Sequence, residues 1–124
     1  TDEEFHQDLV EFAGDLIIKY VIVDPSAASF IATIKKHGKF RVRHAKNEVL
    51  DGIRNVATAL NNGIILYNDC CINTFREFFS YVWDEKAAER GEDKPVKQND
   101  HCMDSDRYFV NTIIFGKKGL SILK

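Results

Sequence analysis

A short apolar run that ends in an aspartate and a proline is the feature that most limits how this chain folds. Residues 20–23 are apolar and mostly β-branched, and Asp24 and Pro25 follow directly. This pattern predicts a buried β-strand that stops at Pro25, because proline cannot donate to a strand ladder. Residues 27–38 then have helical spacing, and residues 40–44 alternate apolar with basic. A strand, a helix and a strand joined by short loops predict parallel strands and an α/β fold.

The rest of the chain continues this alternation within what its 124 residues predict to be a single domain. The predicted helices span residues 1–14, 49–60, 72–79 and about 99–115, and the further strands span 64–67 and 81–83. Residues 84–98 are polar and are interpreted as a surface hairpin, whereas the tail after residue 116 fits no clear pattern. The strands at residues 20–23, 40–44 and 64–67 are predicted to be parallel. A sheet of three parallel strands leaves two open edges, which indicates that partner strands are missing.

Composition narrows the classes of protein. The formal net charge of −2 excludes a strongly cationic nucleic-acid coat but is compatible with an enzyme that has one local basic patch. No apolar run approaches the roughly 20 residues of a membrane span, and no secretory signal opens the chain. Cys70, Cys71 and Cys102 make a poor disulfide framework and lack zinc-ligand spacing, so we expect reduced thiols.

Two acidic features are candidate sites of metal chemistry. Asp24 follows the first strand, and open α/β sheets bind ligands outside the carboxyl ends of their strands. An N-cap role for Asp24 is the alternative. Residues 99–106 hold three aspartates and a histidine at a helix start, where His101 and Asp104 share one face. Aspartate with histidine suits divalent cations and water activation, whereas capping and solvation are the alternative.

Two further features carry charge. Residues 35–46 contain six lysines and arginines and no acid, so they form either a phosphate-contact surface or a solvated edge strand protected by its charges. The candidate DNA-contacting side chains are Lys35, Lys36, Lys39, Arg41 and Arg43. Glu77 stands beside large apolar residues and is predicted to lie on a helix surface and to pair locally, with a functional role as the alternative.

Two segments carry recognisable motifs, VDPSAASF at residues 23–30 and NDHCMDSDRY at residues 99–108. Together with residues 47–53 and 77–84, they resemble the carboxy-terminal nuclease domain of tailed-phage terminase large subunits. The similarity covers nearly the whole chain. It implies a ribonuclease H-like fold, here partial, with mainly parallel central strands flanked by helices. It also implies an endonuclease that cuts concatemeric viral DNA during genome packaging.

The resemblance implies residue roles, cofactors and partners. Asp24 matches a strand-end metal ligand, Asp104 a helix-borne carboxylate ligand, and His101 the catalytic histidine beside the metals. Asp100 matches the leading aspartate of the motif, which we interpret as supporting. The implied cofactors are two divalent cations, magnesium or manganese. The implied partners are double-stranded DNA, the terminase small subunit and the portal protein, without a membrane. The implied location is the bacterial host cytoplasm and, transiently, the procapsid portal.

The family's first catalytic aspartate and opening strands have no counterpart in the sequence, and neither has the ATPase domain. We therefore expect residues 1–124 to be the latter part of a nuclease domain, with little or no nuclease activity by themselves. A non-catalytic domain that docks the packaging motor to DNA or to the portal is the alternative. Another ribonuclease H-like nuclease, such as a resolvase or transposase, is a weaker alternative because the motif at residues 23–30 argues against it.

Overall fold

The computed structural model describes residues 1–116, which divide into two compact units, residues 1–45 and residues from 46 onward. The first unit contains α1 (Asp2–Ala13), β1 (Val21–Val23), α2 (Ala28–His37) and β2 (Val42–His44). The second contains α3 (Val49–Asn61), α4 (Ile72–Ser80), α5 (Glu85–Glu89), α6 (His101–Phe109) and a π-helical turn (Val110–Ile114). The tail after residue 116, which fits no clear sequence pattern, lies outside the described residues. None of the described helices is both long and apolar enough to cross a membrane.

The first unit begins with a capping box, as the spacing of Thr1 and Glu4 predicts. The Glu4 N–H donates to Oγ1 of Thr1 at 3.2 Å, and the Glu4 carboxylate accepts from the backbone nitrogen of Thr1 at 2.8 Å. These bonds satisfy donors that a helix start leaves unpaired. Gly14 follows α1 with a φ of 54°, a backbone conformation that glycine adopts without a Cβ clash.

The two strands of the first unit pair in parallel, as predicted. Val21 pairs with Val42 and Val23 with His44, and α2 provides the connection between the strands. The buried cluster of this unit consists of Ala13, Val23, Ile31, Ile34 and Phe40. Val21 and Val42 pack against it, because alternate residues of a strand point to the same face. The described chain is thus a mixed structure of helices and a small parallel sheet.

The predicted strand over residues 64–67 is wrong. The described part of the chain has a sheet of two strands, and residues 64–67 are irregular. The Ile64 N–H donates to the Ala59 carbonyl at 2.9 Å, which closes the end of α3. Ile64 and Ile65 pack against a buried cluster that includes Val56 and Val110. A short apolar run can be buried against helices as well as in a sheet, so its pattern alone does not decide its conformation.

The predicted strand at residues 81–83 is reduced to one antiparallel bridge between Trp83 and Pro95. The Asp84 N–H donates to the Lys94 carbonyl at 2.8 Å beside this bridge. The predicted hairpin is therefore right in part. Its loop contains the unpredicted helix α5, which begins because the Asp84 side chain accepts from two backbone N–H groups of the first turn.

The last predicted helix, expected to continue to residue 115, changes type at Val110. α6 ends at Phe109, and the chain continues in a π-helical turn in which the Phe115 N–H donates to the Val110 carbonyl at 2.9 Å. Asn111 and Thr112 of this turn are buried. Oγ1 of Thr112 accepts a hydrogen bond from the Lys46 N–H at 2.9 Å, so the turn fixes the segment that precedes α3.

Candidate functional site

Asp24 organises the turn between β1 and α2. Its Oδ1 accepts a hydrogen bond from the Ser26 N–H at 3.0 Å, and its carbonyl accepts from the Ala27 N–H at 2.9 Å. The N-cap of α2 is Ala27, so the alternative that Asp24 caps this helix is wrong. Pro25 lies in the turn, ahead of the helix. The Asp24 carboxylate therefore follows the carboxyl end of a parallel strand, the position where α/β sheets bind ligands.

The start of α6 holds the second predicted group. His101 is the first residue of α6 and is exposed, whereas Asp104 lies one turn later with 17% of its side chain exposed. Asp100 is buried at the N-cap position, where its carbonyl accepts from the Asp104 N–H at 2.8 Å. The second unit therefore brings Asp100, His101 and Asp104 to one helix end, while Asp24 belongs to the first unit.

Lys97 bridges the two shielded carboxylates at this helix end. Its Nζ lies 2.7 Å from Oδ2 of Asp100 and 3.1 Å from Oδ2 of Asp104. The contact with Asp100 is an ion pair that lacks good hydrogen-bond direction, and the contact with Asp104 is a hydrogen bond. Asp100 first, and Asp104 after it, raise the pKa of Lys97 and so favour its charged form. No role for Lys97 was predicted from the sequence, although its position three residues before Asp100 was a signal.

Arg107 fixes the other oxygen of Asp104. Its Nη2 donates to Oδ1 of Asp104 at 2.7 Å, and its Nη1 donates to the carbonyls of Asn47 and Glu48 at 3.3 and 3.4 Å. Burial opposes the guanidinium charge, but the hydrogen bond and charge of Asp104 outweigh burial and raise the pKa of Arg107. Two cations thus hold Asp104 in one orientation. The only sequence signal for this role was the three-residue spacing of Asp104 and Arg107.

A glycine in α3 makes room for the Arg107 side chain. Gly52 is buried, and a Cβ atom added there would lie 3.0 Å from Cδ and 3.2 Å from Cγ of Arg107. Separations this short would force the side chain or the helix to shift. The segment at residues 47–53 therefore supports Arg107 twice, through its carbonyls and through the missing side chain at Gly52.

Glu77 on α4 caps the start of α6, so the prediction that it pairs locally is wrong. Its Oε1 accepts from the backbone N–H groups of Cys102 at 2.8 Å and Met103 at 3.1 Å. These amides have no partner within their own helix, and the positive end of the helix dipole favours a carboxylate there. Burial is the main cause that raises the pKa of the Cys102 thiol, so this cysteine stays protonated near neutral pH.

A tyrosine and an aspartate form a second polar contact on α6. The Tyr67 hydroxyl donates to Oδ2 of Asp106 at 2.7 Å. Burial raises the pKa of Asp106, the hydrogen bond from Tyr67 lowers it, and the nearby charge of Glu77 adds to the increase. The pKa of Tyr67 is raised as well, through burial first and the hydrogen bond to Asp106 second. Tyr67 therefore remains a hydrogen-bond donor at all moderate pH values.

The five candidate DNA-contacting residues lie on different parts of the first unit. Lys35 and Lys36 are in the last turn of α2, where basic side chains complement the helix dipole. Lys39 follows α2, and its Nζ lies 5.7 Å from the ring centroid of Phe40. Arg41 precedes β2 and Arg43 lies within it, both exposed. The basic stretch therefore divides into a helix end and a strand.

The described residues do not by themselves fit a divalent cation. Within residues 1–116, no group of three or more His, Cys, Asp or Glu side chains is placed to hold a metal ion. Carboxylate oxygens are the donors that Mg²⁺ and Mn²⁺ prefer, but both oxygens of Asp104 already contact Lys97 and Arg107. The donor chemistry is suitable, but the described residues supply too few donors for such an ion.

Relatives of this chain are found among phage proteins, while no protein-family model matches it. The terminase large subunit of Escherichia phage T5 is 28% identical over 100 residues, which are 78% of this chain and 23% of that protein. The large terminase of a thermophilic bacteriophage, which has been solved in complex with ADP and with ATP-gamma-S, is 69% identical to this chain. Both structures cover 94% of this chain with a TM-score of 0.89, and the match spans 29% and 30% of those chains. The chain thus spans less than a third of each relative.

Proposed function

Since this chain is a homologue of a segment of the phage large terminases, we propose that it is part of a metal-dependent DNA endonuclease within such a protein. The proposed reaction is the cutting of concatemeric viral DNA during genome packaging. The proposed fold of the complete domain is ribonuclease H-like, and the parallel pair β1 and β2 is compatible with it.

The proposed site uses two divalent cations, magnesium or manganese. Asp24 and Asp104 are the proposed metal ligands, His101 acts beside the metals, and Asp100 supports the start of α6. The cations would supply an activated water and stabilise the leaving oxygen of the DNA strand. Because residues 1–116 offer too few donors, completing the site requires side chains beyond those described.

The observation that carries this proposal is the fixed orientation of the Asp104 carboxylate. Lys97 contacts one of its oxygens and the buried Arg107 contacts the other, while Glu77 anchors the helix start before it. A carboxylate held on a rigid element by surrounding hydrogen bonds is what a metal site needs. His101 is exposed one turn before Asp104, which leaves its side chain accessible to solvent.

A non-catalytic docking domain is the second candidate, and two observations favour it. The pairing of both Asp104 oxygens with cations also suits a purely structural group. The second unit also contains a cavity of about 190 Å³, a candidate surface for a partner. Its apolar lining includes Ile53, Val56, Ala57, Leu60, Phe78 and Met103. A portal protein or the terminase small subunit would be the proposed partner, in the host cytoplasm and transiently at the procapsid portal.

Manganese titration separates the two candidates. The test protein is the large terminase of the thermophilic bacteriophage with its homologous segment replaced by residues 1–124, so that the remainder of a large terminase is present to complete the proposed site. Bound Mn²⁺ is counted by electron paramagnetic resonance. Asp104→Asn keeps an oxygen for Arg107 but removes the charge, and we expect it to lower the number of bound ions.

The matched control is Asp93→Asn, which makes the same charge change at an exposed loop position and should bind as many ions as the unsubstituted chimera. Equal numbers of bound Mn²⁺ in all three proteins would overturn the metal proposal and favour the docking domain.

A further inference from the structure

Three cations surround a single aromatic ring in the first unit. Nζ of Lys19 lies 5.6 Å from the ring centroid of Tyr20, and Cζ of Arg41 and Arg43 lie 6.0 and 5.5 Å from it. All three cationic side chains are exposed, and the ring is half-buried. The electron-rich face of the ring attracts cations, which favours holding the three charges on one small area.

The pairing of the strands explains why these side chains meet. The Val21 N–H donates to the Arg41 carbonyl at 2.8 Å, which sets Tyr20 beside the start of β2. Val21 and Val42 pack against the core of the unit. Because side chains alternate along a strand, the residues on either side of Val42, Arg41 and Arg43, lie on the opposite face of the sheet.

Among the described residues, these three cations are not held in ion pairs. In the part of the chain that the structure describes, no Asp or Glu side chain forms an ion pair with Lys19, Arg41 or Arg43. Three like charges within reach of one ring repel one another, and binding of a polyanion relieves that repulsion. Lys97 and Arg107 of the same chain pair closely with carboxylates, whereas the three cations around Tyr20 meet on one ring without an ion pair among the described residues.

We propose that Lys19, Tyr20, Arg41 and Arg43, hereafter the Tyr20 surface, contact the phosphate backbone of DNA. The inference rests on the proposed function and names the part of the chain that holds its substrate. Arg41 and Arg43 are two residues apart, about 6.6 Å along a strand, and each guanidinium can bind a phosphate with two hydrogen bonds. Phosphate contacts of this kind position DNA without reading its sequence.

Lys35 and Lys36 provide a matched comparison. They stand in the last turn of α2, where they complement the helix dipole. The helix dipole therefore offsets part of their charge. The pKa of the Glu3 carboxyl is lowered mainly by its hydrogen bond with His37, and the charge of Lys36 adds to this effect. The inference assigns the backbone contact to the arginine pair on the strand and predicts a small contribution from the lysine pair on the helix.

The test is fluorescence anisotropy of a short labelled duplex with the 124-residue chain in EDTA. We expect Arg41→Gln with Arg43→Gln to weaken binding roughly tenfold and to make the log–log salt slope shallower by about 1.8, the value for two lost phosphate contacts. Lys35→Gln with Lys36→Gln should change affinity by less than about twofold. Equal effects of the two pairs, or no effect of the arginine pair, would overturn the proposal.

Two further measurements test whether misfolding or another polyanion explains the binding data. Arg41→Lys with Arg43→Lys keeps both charges and should keep the salt slope, which separates charge loss from misfolding. Vesicles of anionic lipid serve as the rival polyanion, and binding to vesicles without binding to the duplex would contradict the proposal. EDTA removes any dependence on metal. If the arginine pair does not affect duplex binding while Asp104→Asn still abolishes cleavage, the Tyr20 surface is wrong and the proposed function stands. If the arginine pair weakens binding while Asp104→Asn leaves cleavage unchanged, the proposed function is wrong and the Tyr20 surface stands.

Discussion

The carboxylate of Glu77 accepts a hydrogen bond from the backbone N–H of Cys102 at 2.8 Å and joins α4 to the start of α6. The two residues are 25 positions apart. The first N–H groups of a helix have no partner inside it, and a distant side chain supplies one here. The placement of His101 and Asp104 therefore depends on α4 as well as on their own helix.

Glu77 is predicted to stabilise the second unit as a cap. Glu77→Ala leaves the amides of Cys102 and Met103 without their acceptor, and we expect the free energy of unfolding to fall by about 1 kcal/mol. Glu77→Gln keeps an acceptor oxygen but loses the favourable charge at the helix start, so its loss should be smaller. Urea unfolding followed by circular dichroism measures both. The cap account fails if alanine has no effect or if glutamine is the more damaging change.

Lys97 and Arg107, the two cations beside Asp104, are predicted to contribute differently to the free energy of unfolding because they differ in burial. Asp104→Ala leaves the buried guanidinium of Arg107 without a carboxylate and should lower the free energy of unfolding by about 3 kcal/mol. Lys97→Ala removes a partner whose side chain is 69% exposed and leaves the Arg107 contact intact, so its loss should be smaller than that of Asp104→Ala. Chemical denaturation of both variants checks this, and losses of equal size would contradict it.

Asp106 is predicted to make stability depend on pH. Burial raises the pKa of Asp106 in the folded state, so the folded state binds the proton more tightly than the unfolded state. Stability is then lost as pH rises from the unfolded pKa to the folded pKa. Asp106→Asn keeps an acceptor for Tyr67 and removes this titration. The free energy of unfolding of Asp106→Asn, minus that of the unsubstituted chain, should therefore be larger at about pH 7 than at about pH 3.5.

Thermal or urea unfolding at the two pH values measures this difference. Asp69→Asn, at an exposed position, is the control and should show the same stability difference from the unsubstituted chain at both values. A pH-independent effect of Asp106→Asn would show that burial does not control its titration.

Features with short-range partners were predictable from the sequence. The capping box joins Thr1 to Glu4, three residues away, and the segment after Asp24 turns and becomes a helix as its composition indicates. The parallel pairing of β1 and β2 follows from a strand, a helix and a strand joined by short loops. In each case the deciding interactions lie within one element or between neighbouring elements.

Features with distant partners were not predictable. Glu77 was expected to pair locally because its sequence neighbours do not reveal the amides of α6. The contacts of Arg107 with the carbonyls of Asn47 and Glu48 join residues 60 and 59 positions apart and leave no periodic signal. Residues 64–67 have the composition of a strand, yet packing against helices determined their conformation.

The central claim is that Asp24 and Asp104 serve a DNA endonuclease, and cleavage of supercoiled plasmid in the presence of Mn²⁺ tests it most directly. The protein is the large terminase of the thermophilic bacteriophage with residues 1–124 in place of its homologous segment, compared with the unaltered phage protein. The account predicts nicking that Asp24→Asn and Asp104→Asn each abolish and that Asp93→Asn leaves unchanged. Undiminished nicking by both the Asp24→Asn and Asp104→Asn chimeras would contradict it.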